Sequence, residues 1–250
     1  MDKVKIKKTT AESISFEMQK FTGSSMPVAI GVEGADGIMI PLIERGADLP
    51  ASYSRIFTTS ESFQISFYFQ LYLGERPFAA DNTQLCILRH DEGSFTSAGK
   101  PQYKLNIKIS KNGLIIIRSQ NLNRNGKGQP QITFQKISFQ SSEIDEINDA
   151  AARNKKSDIV LLDKYKKLCF ARDRCNYIQH ECWPAAKQKM SLLEKHNYKK
   201  CRHQIENTIN LGPRTFNASN AQNLKRLLSE LSEWSSLMND RSNKALSCHK

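Results

Sequence analysis

Residues 63–73 read FQISFYFQLYL. Phe63, Ile65, Phe67, Phe69, Leu71 and Leu73 alternate with Gln64, Ser66, Tyr68, Gln70 and Tyr72. Side chains on a strand point to opposite faces in turn, so a period of two puts every large apolar residue on one face. A helix would scatter the same residues around its circumference. The segment therefore predicts a strand with one face against a core. Tyr103, Leu105, Ile107 and Ile109 alternate with Lys104, Asn106 and Lys108 in the same way. Asn112-Gly113 separates that run from Leu114-Ile115-Ile116-Ile117. Asn-Gly accepts the positive φ angles of a type I′ turn, so a hairpin is expected there. Further strands are expected at 27–32, 37–44, 53–59, 85–89 and 131–137. Turn residues punctuate them: Gly34, Asp36-Gly37, Gly46, Pro50, Gly74, Asp81-Asn82, Gly93, Gly99 and the Gly126/Gly128 pair. Many short strands with such punctuation make a sandwich or barrel.

The period changes near residue 140. Ser141-Ser142-Glu143-Ile144 opens a stretch rich in Glu, Lys, Ala and Leu, and a serine cap followed by acid suits a helix N-terminus. Ile144, Ile147, Ile159, Leu162 and Tyr165 fall on one helical face. Pro184 is expected to start or kink a helix and Gly212-Pro213 to stop one. A last amphipathic helix over about 219–238 carries Leu224, Leu227, Leu228, Leu231 and Trp234 on one side. Three or four helices are expected in all. The fold class is thus α+β by segregation. Residues 1–26 read as a basic arm or edge strand, 27–140 as an antiparallel β-sandwich, and 141–250 as a helical bundle.

Composition narrows the functional classes. The net charge is +12, with 17 basic and 12 acidic residues in 1–140 and 20 and 13 in 141–250. Such an excess suits acidic partners. Nucleic acid is disfavoured because the charge is not gathered on one element with aromatics between. No apolar run has the length of a membrane span, and MDKVKIKKTT carries no apolar core of a signal, so a cytoplasmic chain is expected, with the mitochondrial matrix a weaker alternative. Cys86, Cys169, Cys175, Cys182, Cys201 and Cys248 form no CxxC and read as reduced thiols. His180 with Cys182, and Cys201 with His203, are spaced i, i+2, which on a helix points the pairs apart; no metal is expected. No phosphate-binding, zincin or nucleophile-elbow motif is present, so neither catalysis nor a cofactor is expected.

Several words then carry a resemblance. Residues 28–50 read VAIGVEGADGIMIPLIERGADLP, 54–59 SRIFTT, 73–82 LGERPFAADN, and 126–134 GKGQPQITF, with Pro101-Gln102 and Asn112-Gly113-Leu114 between. In order and spacing these resemble the peptide-binding half of heat-shock-70 (DnaK-type) chaperones, with the helical tail where that family has its lid. The resemblance implies a module that holds extended or unfolded peptide without an ATPase half. By position it assigns the wall of an apolar pocket to Val32, Phe57, Phe67, Phe69 and Tyr103. It assigns an arch over the peptide to Ala35 and Ser60, and peptide contacts to Gly34, Thr58 and Gln64.

The departures are specific. The family carries small aliphatic residues at Phe67 and Phe69 and isoleucine at Tyr103. Added carbons in a closed pocket cost about 1–3 kcal/mol unless the site rearranges. Ala98 stands where the family's lid-latching loop has arginine, and the chain ends SCHK without the family's acidic tail. Read from the residues alone, Phe67 and Phe69 line a pocket or are plain core. The alternative to client binding is a pocket-blocked interaction or decoy protein, whose partners would be full-length chaperones or J-domain co-chaperones.

Overall fold

The computed structural model describes residues 7–19, 21–59, 63–91, 97–100, 102–124 and 129–243. The chain divides into two compact units, 1–155 and 156–250.

The first unit is a sandwich. One sheet has the order β1-β10-β7-β6-β3-β4, with β1 Lys7–Thr10, β3 Ile30–Glu33, β4 Met39–Ile43, β6 Ser66–Leu73, β7 Thr83–Asp91 and β10 Gln131–Phe134. The other has the order β11-β2-β9-β8-β5, with β2 Ser13–Met18, β5 Ala51–Thr58, β8 Gln102–Ile109, β9 Leu114–Asn121 and β11 Ser138–Phe139. Pairings are antiparallel except the short β11–β2 contact, which is parallel. The inward residues of both sheets make one core: Phe69, Leu71 and Leu88 from the first, and Leu105, Ile107, Ile115 and Ile117 from the second, are all at most 1% exposed. These are the alternating apolar residues of the sequence, so period two was the decisive local signal.

The structure corrects three expectations among the strands of this unit. Residues 7–18 form two strands rather than an arm. β1 is an edge strand, but β2 lies inside the second sheet, between β11 and β9, with Ile14, Phe16 and Met18 buried. Its alternation spans only six residues beside a basic stretch and has no force until β9 pairs with it. The strand expected from Phe63 starts at Ser66 instead. Phe63 adopts φ 63°, which ends extended geometry, and Phe63 and Ile65 remain 65% and 67% exposed. The 112–113 hairpin is not type I′. Only Gly113 has positive φ (80°), and its N–H donates to Ser110 O at 3.1 Å. Lys111–Gly113 form a three-residue loop, with glycine taking the left-handed position.

α1, Ser141–Tyr177, begins in the first unit. Its cap is not a serine: the Gln140 N–H donates to Glu143 Oε2 at 2.9 Å, and Lys136 Nζ also reaches the Glu143 carboxylate. Ile144 and the half-buried Ile147 join the sandwich core.

The second unit contains the rest of α1, α2 Trp183–Ala186, α3 Leu192–Asn210, α4 Gly212–Thr215 and α5 Ala218–Asn243. Pro184 sits in the first turn of α2, directly after the π-helical turn Ile178–Cys182 that continues from α1. Ser191 and Glu194 cap α3 reciprocally: the Glu194 N–H donates to Ser191 Oγ at 3.2 Å and the Ser191 N–H to Glu194 Oε2 at 2.7 Å. The core holds Leu168, Ile178, Ile205, Leu224, Leu227 and Leu231, with Trp183 stacked on Tyr198 at 4.7 Å. No helix among the described residues is long and apolar enough to cross a membrane.

Candidate functional site

Four of the singled-out residues come together where the sheets face each other. β6 supplies Phe67 and Phe69; β5 supplies Phe57, which pairs in register with Tyr103 of β8. The Phe67 ring stacks on Tyr103, centroids 4.1 Å apart and planes 7° apart. Phe69 meets Phe67 edge-on at 4.9 Å and Phe57 edge-on at 5.2 Å. Phe69 is 1% exposed and Tyr103 fully buried, while Phe57 and Phe67 are half-buried. The rings therefore fill the space that smaller residues would leave between these strands. Aromatic pairs in such geometry contribute about 0.5–1.5 kcal/mol each beyond burial.

The remaining assigned residues are dispersed. Val32 is buried in β3, paired with Leu71, and belongs to the same core without touching the rings by stacking. The Gly34 N–H donates to Ile38 O at 2.7 Å, closing the turn after β3, where Ala35 opens a short helical turn. Thr58 ends β5, exposed and opposite Gln102. Gln64 is engaged locally, donating to Ser66 O at 2.9 Å. Ser60 lies outside the described residues, as do Pro101 and residues 126–128, which carry part of the resemblance.

One participant escaped sequence reasoning. His90 of β7 is 3% exposed; its Nε2 lies 2.6 Å from Ser119 Oγ of β9, a hydrogen bond that joins the two sheets. Its ring stands 5.3 Å from Tyr103. The signal was present: Cys86, Leu88 and His90 alternate inward along β7. Histidine reads as a surface residue unless that alternation is carried to the strand end.

The rim is polar. Ser66 Oγ and Arg89 Nε both donate to Asp91 Oδ1, at 2.9 and 2.6 Å. The Arg89 hydrogen bond, then that of Ser66, holds the Asp91 carboxyl below its ordinary range. Arg89 also lies over the Tyr68 ring and Arg55 over the Phe57 ring.

The GERPFAADN word proves architectural. Asn82 Oδ1 accepts the Arg76 N–H at 3.0 Å, and its Nδ2 donates to the carbonyls of Arg76 and Phe78, both at 2.8 Å. Gly74 sits against Asn82, at φ 143°, with no room for a Cβ. Arg76 and Asp81 lie 3.7 Å apart across the loop. In the helical unit, Cys182 and Cys201 are buried while His180 and His203 are exposed, so the two i, i+2 pairs do diverge.

Comparison with known proteins supports the family that the sequence words resemble. The chain is 29% identical over 156 residues to the protein named Chaperone protein DnaK of Mycoplasmopsis agalactiae. That stretch is 62% of this chain and 26% of the relative, so the similarity spans about a quarter of the relative's length. Residues 23–242 match the family described as Hsp70 protein. Over most of its length, sandwich and helices alike, the chain belongs to the Hsp70 family.

Proposed function

We propose that these residues form the client-binding portion of an Hsp70-type chaperone. They hold extended polypeptide by strand-type contacts while their own aromatic rings occupy the anchor pocket. The observation that carries the reading is the position of β5. It is the last strand of its sheet, pairs among the described residues only with β8, and bears Phe57 and Thr58 beside the Phe67–Tyr103 stack. An open strand edge offers backbone donors and acceptors to an extended segment, and a pocket behind it selects one side chain. The exposed Phe63 and Ile65, just ahead of β6, add apolar surface. We assign no nucleotide hydrolysis to these residues; a steady-state phosphate-release assay checks that assignment.

Fluorescence anisotropy with a labelled, leucine-centred extended peptide tests the reading. The wild-type chain is expected to bind weakly and Phe67→Val about tenfold more tightly, as the anchor pocket opens. Equal affinity in both would remove the plug. No binding by either at tens of micromolar would remove client holding.

The filled cluster also favours a second reading. An intact fold with no open pocket suits a protein that contacts full-length chaperones or J-domain co-chaperones rather than clients. Titration of the wild-type chain with such a chaperone distinguishes it: complex formation unchanged by Phe67→Val, with no peptide binding, selects this reading.

A further inference from the structure

The helical unit contains an open trough of about 630 Å3 between α1 and α5. Its apolar lining includes Phe216 and Leu224, both buried, the half-buried Leu228, and Phe170, which stands 63% exposed. Three lysines edge it: Lys166 and Lys167 on α1, and Lys225 on α5. α5 packs more closely on α3 than on α1. An apolar groove between two helices is a surface that the ridge of a third helix can enter.

Charge decides what fits. Residues 156–250 carry 18 basic against 9 acidic side chains, so this unit holds most of the excess of the chain. Lys167 is paired with Asp163 at 2.6 Å, whereas Lys166 and Lys225 make no salt bridge among the described residues. A second copy would bring a unit of the same sign. Residues 244–250, KALSCHK, contain no acid. An acyl chain would leave the open side of the trough in water, which a helix would cover.

We propose that this trough docks an acidic amphipathic helix of another protein. Its apolar face would lie on Phe170, Leu224 and Leu228, with carboxylates on either side at Lys166 and Lys225. The site is independent of the sandwich, so it stands or falls separately from client binding.

The test uses the full chain and two labelled synthetic helices with leucine on one face and either glutamate or lysine on the other. The glutamate helix is expected to bind and the lysine helix not to. K166E/K225E should weaken binding about tenfold or more. Phe170→Ala should weaken it without altering the circular dichroism, because the ring is exposed. K199E/K200E makes the same charge change at exposed positions of α3 and should leave affinity unchanged within about twofold. Phe67→Val should also leave it unchanged, separating the trough from the sandwich. Equal losses in both double variants would reduce the effect to diffuse charge and overturn the proposal. So would no binding of the glutamate helix. Binding of hexadecanoate with no effect of Phe170→Ala on the peptide would make an acyl anion the occupant. A dimer lost in K166E/K225E would make it a second copy; either result overturns the proposal.

Discussion

Phe67 carries more of the account than any other residue, because its ring closes the space above Tyr103. Replacing it with valine removes a stacked pair and leaves a void, so Phe67→Val should lower stability by about 1–3 kcal/mol in denaturant unfolding. Alternation along β6 made the inward side of Phe67 and Phe69 legible, because facing is a local property of a strand. That the rings stack across sheets was not legible, since it depends on how β5, β6 and β8 approach one another. The buried thiols give a second residue-scale expectation. Burial, first among the causes, pushes Cys175 up to about 11 and Cys201 up to about 12, from 9.0. Both are neutral at pH 8, so mass spectrometry after brief alkylation of the native chain should find them unmodified, with the half-buried Cys169 labelled ahead of them. Because the folded values are raised, their contribution to stability is complete below about pH 9 and is lost as pH rises through 11 to 12.

At the scale of elements, the start of α1 depends on one carboxylate. The Lys136 hydrogen bond, then the Gln140 N–H, holds Glu143 below its ordinary range. A lowered carboxyl contributes stability above its unfolded value and loses it as pH falls through the folded value. Amide exchange at residues 141–144 should therefore quicken in acid, and Glu143→Gln should reproduce part of that effect at pH 7. The helix start was legible from SSEI, but not its cap. The sequence offers two serines, while Gln140, directly after β11, takes the capping position. The Lys111–Gly113 loop shows the same limit: Asn-Gly marked the turn correctly, and one residue of loop length changed its type. Gly113→Ala should cost about 1–2 kcal/mol, since φ is 80° and the new Cβ would meet the Phe21 Cβ at 3.0 Å. A shift of the urea midpoint checks it.

The whole molecule joins a sandwich to a helical unit, a segregation marked in the sequence by the change of period at residue 140. Strand alternation and helical spacing are repeated many times along 250 residues, so single misreadings such as β2 did not disturb the class. Function is less redundant, since in the proposed reading a few ring positions decide whether the groove accepts a side chain. The most direct measurement is the affinity of the intact chain for a leucine-centred extended peptide, before and after Phe67→Val. Weak binding that tightens about tenfold is the predicted result. Identical affinities, or none in either protein, would contradict the claim that these rings close a client pocket.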